Sequence, residues 1–230
     1  MKVKLASLCF VAAATFVLSG TAFAAWSDNF DSYASGSNLN GQGGWFGWDG
    51  VATCGDVVSS VALSSPNSAM IDNGDDTVHT YTGVNSGAWT YTAWMFIPDN
   101  FAGKTYFILL NTYNNGGPYS WSVQLTFDSA TGKVTDDIGS GLSLPYIVGA
   151  WAEIKVDFDL TADTKSIYYG GNLLGASGWK NDGVLNLAAV DLYSEGSPVY
   201  YDNLSLVPEP GTLAALVFGL GALVIRRKRS

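Results

Sequence analysis

Cysteine, histidine and arginine are nearly absent from the central part of this 230-residue chain. The sequence has two cysteines and one histidine, and Cys9 lies in an apolar N-terminal run, which leaves Cys54 without an intramolecular partner. A disulfide framework is therefore excluded, and so is a zinc site with the usual cysteine and histidine spacing. Residues 25–206 must be stabilised by burial of apolar side chains, and they are long enough to form one core.

Basic residues are scarce in the same region. Residues 25–206 hold five lysines, no arginine and 19 acidic residues, which gives a net charge of −14. Such a negative field disfavours nucleic acid and anionic membrane surfaces as partners. It agrees better with solubility outside the cell and with divalent cations or neutral glycans as ligands.

The first 24 residues have the pattern of an export signal. Two lysines precede an apolar run over residues 5–18, and Ala22-Phe23-Ala24 forms an A-x-A cleavage site. We therefore expect residues 1–24 to be a helical signal peptide that is removed, so that the exported chain begins at Ala25.

A second signal occupies residues 207–230. Pro208-Glu209-Pro210 precedes an apolar run over residues 211–225. Helix of this length rises about 22 Å, short of the ~30 Å hydrocarbon core, although flanking residues can extend the span. The basic cluster that follows the run orients the large domain to the outside of the membrane. The cluster consists of Arg226, Arg227, Lys228 and Arg229.

This tail resembles the PEP-CTERM sorting signal of Gram-negative bacteria. The resemblance implies transient insertion in the inner membrane, cleavage near Pro-Glu-Pro by an exosortase, and release to the cell envelope or the extracellular matrix. The alternative is a permanent transmembrane helix that no enzyme cleaves. The length and flanks of the apolar run do not separate these two outcomes.

Apolar residues of the central domain alternate with a period of two. In residues 119–127 the odd-numbered positions are apolar, and in residues 151–160 the even-numbered positions are. Both patterns predict half-buried strands of antiparallel sheets. Turn residues separate further strand candidates, including residues 78–82, 187–193 and 199–206. The sequence therefore predicts one all-β antiparallel sandwich over residues 25–206.

Five short motifs lie along this domain in a definite order. They are an early strand Asn29-Phe30-Asp31-Ser32-Tyr33, a loop Gly41-Gln42-Gly43-Gly44-Trp45, a strand at residues 151–157, a hairpin around Gly170-Gly171, and Tyr201-Asp202-Asn203-Leu204. This order resembles the concanavalin A-like or laminin G-like jelly roll of exported bacterial proteins. The resemblance covers most of residues 25–206 and implies a superfamily that contains lectins and glucanases.

The resemblance therefore allows either glycan cleavage or glycan binding as the function of this domain. Glycoside hydrolysis uses two carboxyl groups, about 5.5 Å apart for retention and up to roughly 9.5 Å for inversion. Glu153 and Glu195 are the only glutamates of residues 25–206, and the glucanase pattern of two glutamates around an aspartate is missing. His79 has no serine triad around it. We therefore predict no catalytic residue, with a glycan hydrolase or lyase on the same fold as the alternative.

Two aspartates share the strand phase of apolar residues. Asp28 is in phase with Trp26 and Phe30, and Asp202 is in phase with the apolar residues of the last strand. Jelly rolls of this type often pair their first and last strands, and an unpaired buried carboxylate is costly. One hypothesis is a structural calcium ion held by Asp28 or Asp31 together with Asp202. The alternative is that Asp202 accepts hydrogen bonds from amides of a neighbouring loop and Asp28 is exposed.

Tryptophans in two glycine-containing segments form a second candidate site. Exposed tryptophan rings stack on sugars, while aspartate and asparagine bind hydroxyl groups. We therefore predict Trp48, Asp49, Trp179 and Asn181 as glycan-binding residues. The alternative is that these rings fold back to plug the end of the sandwich, which is the prediction for Trp45.

These observations together predict an exported, non-catalytic β-sandwich of the cell envelope or exopolysaccharide matrix that binds glycans or mediates adhesion. Its expected partners are an exosortase, the inner membrane in passing, and a polysaccharide. Calcium is the only expected cofactor. A purely structural matrix protein without a ligand is a further alternative.

Overall fold

The computed structural model describes residues 25–209. They form two antiparallel sheets packed into a sandwich, so the predicted all-β fold class is confirmed. The signal peptide and the tail after Glu209 lie outside the described residues and stay predictions. Within residues 25–209, no helix is long and apolar enough to cross a membrane.

The described chain contains fifteen strands and one 3-10 turn at Trp48–Gly50. The strands are β1 (Trp26–Asp28), β2 (Trp45–Gly47), β3 (Asp56–Val58), β4 (Ser68–Ile71), β5 (Asp76–Thr80), β6 (Ala88–Phe96), β7 (Lys104–Thr112), β8 (Ser120–Asp128), β9 (Lys133–Asp136), β10 (Ser143–Pro145), β11 (Trp151–Asp159), β12 (Thr164–Tyr169), β13 (Asn172–Ser177), β14 (Ala189–Ser194) and β15 (Val199–Pro208).

Sheet 1 has eight strands in the order β13-β12-β11-β6-β15-β4-β3, with β1 also paired to β15. Sheet 2 has seven strands in the order β10-β9-β8-β7-β14-β5-β2. The first and last strands pair as expected, with Asp28 opposite Leu204. Sheet 2 brings β5, β7, β8 and β14 side by side, which positions the candidate site described below.

The core lies between the two sheets and is filled by alternate residues of each strand. The even-numbered residues of β11 belong to it, as the sequence predicts. Trp45 is 1% exposed, which confirms its predicted core position. Cys54 is buried and unpaired, and burial raises the pKa of its thiol to about 11. The side chain is therefore an inert apolar filler.

The alternation predicted for residues 119–127 is wrong in its first half. Val123 lies opposite Leu109, whereas Trp121 lies opposite Leu110, so Ser122 is an extra residue in β8. A β-bulge of this kind reverses the face to which the preceding residues point. Val123 therefore packs in the inter-sheet core, while Trp121 packs on the outer face of sheet 2.

The ends of the sandwich differ from the predicted boundaries. Residues 29–33 form a turn after β1 rather than a strand, and Phe30 has a positive φ of 59°. At the other end, β15 continues through Pro208, two residues beyond the predicted domain end at residue 206. The Glu209 amide then donates to the carbonyl of Ala88 at 2.9 Å. The start of the Pro-Glu-Pro motif is thus attached to sheet 1.

Candidate functional site

The outer face of sheet 2 carries a surface of half-buried aromatic rings, which we call the aromatic face. Its floor consists of four buried side chains from β5, β7 and β14, namely Val78, Ile108, Leu110 and Ala189. Its rings come from β2, the 3-10 turn, β7, β8, β14 and the loop before β8, and they are Phe46, Trp48, Tyr106, Tyr113, Tyr119, Trp121 and Tyr193.

Trp48 is the central ring of this face. Its centroid lies 4.7 Å from that of Tyr119 and 5.0 Å from that of Tyr113. The ring of Trp121 is nearly parallel to it, at 6.4 Å and 18°. Neighbouring rings of this geometry fix the orientation of Trp48 while part of its surface stays exposed. The structure thus places this predicted residue where it can stack on a sugar.

Asp49 is exposed and organises the aromatic face. Its carboxylate accepts hydrogen bonds from the Tyr119 hydroxyl at 2.5–2.6 Å and from the Gly116 amide at 2.8 Å. Its own amide donates to the Tyr113 hydroxyl at 3.1 Å. These donors lower the pKa of Asp49. The residue has a φ of 53°, a left-handed conformation that aspartate tolerates better than most residues. Asp49 therefore positions two tyrosines.

Two aspartates that the sequence analysis did not select lie within the aromatic face. Asp76 of β5 is opposite Tyr193, and Asp191 of β14 is opposite Val78. The two acids are diagonal neighbours on adjacent strands, a placement from which side chains can meet. They lie within hydrogen-bonding reach of each other. Asp191 is only 3% exposed, and Asp76 is half-buried.

The carboxyl oxygens of this pair have no other donor. The Oδ1 atoms of Asp76 and Asp191 are inaccessible, and no N–H or O–H of another described residue donates to them. Burial raises the pKa of both acids, and that of Asp191 rises well above its ordinary value because it is the more deeply buried. Two adjacent negative charges on this buried pair are therefore disfavoured.

A cleft of about 230 Å³ opens above the acid pair. Its walls are Trp48, Asp76, Tyr106, Ile108, Trp121, Gln124, Asp191 and Tyr193. Tyr106 and Tyr193 stack on each other at 5.4 Å, and both hydroxyls donate to the Glu195 carboxylate, at 3.0 and 3.1 Å. The tyrosine edges are thereby fixed, and no basic side chain lines the cleft.

Trp179 does not belong to this site, which corrects its assignment as a glycan-binding residue. The ring is 0% exposed, stacks on Phe158 at 4.3 Å, and donates from Nε1 to the carbonyl of Asn186. A sugar cannot reach a ring that is packed between the sheets. Asn181 is exposed on the loop that follows, and no hydrogen bond within the described residues joins it to Trp48 or Asp49.

The carboxylates predicted to bind calcium have partners within the protein. Asp202 is 0% exposed and accepts hydrogen bonds from the amides of Leu63 and Ser64, each at 2.8 Å. Asp31 accepts from the amide of Asn67 at 2.9 Å. Among residues 25–209, no three histidine, cysteine or acidic side chains are grouped so that they could hold a metal ion. The loop amides account for Asp202 without a cation, and calcium binding stays a prediction.

Asp28 lines a larger groove of about 670 Å³ on the sheet 1 side, beside β1 and β15. It accepts hydrogen bonds from the Phe30 amide, the Tyr33 hydroxyl and the Trp45 indole, at 2.8, 2.6 and 2.8 Å. These bonds hold the turn after β1 against the core, so this carboxylate is structural. The outer face of sheet 1 also has aromatic rings, among them Trp94 and Trp151.

One feature of the sequence indicates the acid pair, although the alternation of apolar residues along the strands does not. Asp191 interrupts the apolar run Val190-Asp191-Leu192 inside a predicted strand. A carboxyl group in that position must point outward from the sheet or be buried with a partner. The partner Asp76 is 115 residues away in sequence, and only the pairing of β5 with β14 brings the two together.

The comparisons with known proteins show the fold. No protein-family model matches the chain, and no curated protein matches it in sequence. Among solved structures, the chain is similar to the Trypanosoma cruzi calreticulin globular domain, with 10% identity over 90% of this chain and 100% of that one, at a TM-score of 0.56. It is also similar to an endo-β-1,4-glucuronan lyase from the fungus Trichoderma reesei, with 11% identity over 81% and 96% of the two chains, at a TM-score of 0.53.

A third similar structure is titled cellulose-induced protein Cip1. The identity is 16%, the match covers 79% of this chain and 96% of that one, and the TM-score is 0.50. At sequence identities this low, the structural matches show a common β-sandwich architecture and no more. The chain described here is a β-sandwich with a jelly-roll-like arrangement of two antiparallel sheets.

Proposed function

We propose that this protein is an exported glycan-binding protein and that the aromatic face is its binding surface. The observation that carries the proposal is the group of half-buried rings around Trp48, held in place by hydrogen bonds from tyrosine hydroxyls to Asp49 and Glu195. Rigid, partly exposed rings beside polar groups are what sugar rings stack on. The similar folds of a cellulose-induced protein and a glucuronan lyase support the same class of ligand.

The energy available from this surface agrees with reversible binding. Covering part of one exposed tryptophan face contributes on the order of 1–2 kcal/mol through buried apolar area. That energy corresponds to a factor of about 5–30 in the dissociation constant. A polysaccharide chain that contacts several rings at once is retained, whereas its contact with each single ring is weak and reversible.

The site of action proposed here is the cell envelope or the exopolysaccharide matrix of a Gram-negative bacterium. The signal-like residues 1–24 and the tail with Pro208-Glu209-Pro210 support export and passage through the inner membrane. An exosortase-type enzyme is the proposed processing partner. The Glu209 amide donates to the carbonyl of Ala88 in β6, so the described sandwich extends into the Pro-Glu-Pro motif.

The acid pair is the one observation that favours an enzyme, because buried carboxyl groups of raised pKa are common at catalytic sites. The geometry of the pair argues against glycoside hydrolysis. Asp76 and Asp191 are in hydrogen-bond contact, whereas a glycosidase pair is separated by about 5.5 Å or more so that the scissile bond fits between the carboxyl groups. Binding is therefore the better-supported function, and glycan cleavage is the alternative.

A retention experiment tests the proposal and its alternative together. The full-length protein, kept soluble in a neutral detergent, is run through gels that contain the exopolysaccharide of the source bacterium, cellulose derivatives or chitosan. Trp48→Ala should weaken retention about 5- to 30-fold, whereas Trp151→Ala on sheet 1 should not. Equal effects of the two variants would remove the aromatic face as the binding surface. Release of sugars from the same polymers would favour the enzyme.

A further inference from the structure

The acid pair, Asp76 and Asp191, has a charge that the stacking of sugars on aromatic rings does not balance. The described residues contain five lysines and no arginine, and none of them lines the cleft. Two of these lysines have acidic partners elsewhere, Lys104 with Asp128 and Lys155 with Asp157. Asp76 and Asp191 therefore have no cationic partner among residues 25–209, although buried carboxyl groups are normally paired.

The residues around Asp76 and Asp191 determine which kind of cation the cleft can bind. A calcium ion takes 6–8 oxygen ligands, and the cleft offers two carboxyl groups and the amide of Gln124 among indole and phenol rings. Aromatic faces instead attract organic ammonium groups, most strongly where the site is partly desolvated. Tyr106 and Tyr193 donate their hydroxyl hydrogens to Glu195, which makes their rings more electron-rich and strengthens this attraction.

Size and charge restrict the ligand further. The cleft is about 230 Å³, below the range of about 300–1,000 Å³ that encloses drug-sized ligands, so it holds one substituent or one sugar unit of a longer chain. Burial raises the pKa of both acids, so a ligand group with one positive charge matches the pair better than a divalent ion does. An ammonium group carries one positive charge and three N–H donors, and from the cleft it can approach the carboxyl group of Asp76, which is half-buried.

We propose that this cleft binds the ammonium group of an amino sugar, so that the preferred ligands of the aromatic face are glycans with free amines. The inference rests on the proposed glycan-binding function, since it assigns the polar specificity of the same surface. Asp76, the more exposed acid, contacts the ammonium group, and Asp191 is a positioning residue behind it. Trp48, Trp121, Tyr106 and Tyr193 surround the amine-bearing unit.

The test compares three β-1,4-linked hexamers that differ only at carbon 2: the glucosamine hexamer, the N-acetylglucosamine hexamer and cellohexaose. Their affinities for the full-length protein are measured calorimetrically at about pH 5.5, where a primary amine is protonated, and at about 0.15 M salt to screen distant charges. The glucosamine hexamer should bind at least about 10-fold more tightly than the other two, which should resemble each other.

Two variants distinguish an effect of the cleft on binding from an effect of the negative charge of the whole domain. Asp76→Asn should abolish the preference for the amine, so that the glucosamine hexamer binds no more than about 3-fold more tightly than cellohexaose. Glu153→Gln makes the same charge change on sheet 1 and should keep the preference. Equal binding of all three hexamers by the wild-type protein, or equal losses in the two variants, would overturn the ammonium site and leave glycan binding intact. If Trp48→Ala changes the affinity for none of the hexamers, the proposed function itself fails.

Discussion

Replacement of Asp191 by asparagine should stabilise the protein at neutral pH and not at acid pH. In the folded state burial, together with the neighbouring Asp76, raises the pKa of Asp191 well above that of an exposed carboxyl. An acid with a raised pKa binds its proton more tightly when folded, so its contribution to stability is fully present below the unfolded pKa of about 3.9. That contribution is lost as the pH rises through the folded pKa.

The size of the effect follows from the linkage relation and from burial. While Asp191 alone titrates, the wild type loses about 1.4 kcal/mol of unfolding free energy per pH unit relative to the variant. A buried polar group without a donor costs about 1–3 kcal/mol, and the amide of Asp191→Asn can donate permanently to Asp76. For a domain of this size each kcal/mol moves Tm by about 2–4 °C.

The assay is thermal unfolding of wild type and Asp191→Asn between about pH 4.5 and pH 8. The Tm difference, variant minus wild type, should grow with pH. Glu153→Gln serves as a control because it removes one carboxyl group outside the cleft and should show no such trend. A Tm difference for Asp191→Asn that is constant over this range would refute the raised pKa of Asp191 and the buried acid pair.

Three further outcomes are expected. Trp179→Ala should destabilise the protein by about 3–5 kcal/mol without a specific loss of glycan affinity in the folded fraction, as measured by chemical unfolding and gel retention; a loss below about 1 kcal/mol would contradict its core position. Asp202→Ala should cost about 1–3 kcal/mol because the amides of Leu63 and Ser64 lose their acceptor, and Tm should be unchanged between chelator and millimolar calcium if those amides suffice. Mass spectrometry of the exported protein should find an end near Pro210, whereas an intact C-terminal Ser230 would contradict cleavage.

The sequence was sufficient for the fold because the core of this protein depends on alternation. The even-numbered residues of β11 are all apolar and all buried, and the turn residues that separate the strands are glycine, asparagine and aspartate. The pairing of β1 with β15 was also predictable by resemblance. Local patterns of this kind require no knowledge of which strands are neighbours.

The candidate site was less predictable because it depends on contacts between distant segments. The bulge at Ser122 turns Trp121 to the outer face, and a strict period of two places that ring in the core. Asp76 and Asp191 meet only because β5 and β14 are paired. Trp48 and Trp179 have similar sequence surroundings, with glycine on the preceding side, yet one is half-exposed and the other is packed against Phe158.

The tryptophan indole signals in a nitrogen–proton correlation spectrum test the proposed binding surface directly. All eight tryptophans of the chain lie within the described residues, and they report on separate regions. Titration with the glucosamine hexamer should shift the indole signals of Trp48 and Trp121 and leave those of the buried Trp45 and Trp179 unchanged. Shifts confined to Trp94 and Trp151 would place the ligand on sheet 1 and contradict the assignment of glycan binding to the aromatic face.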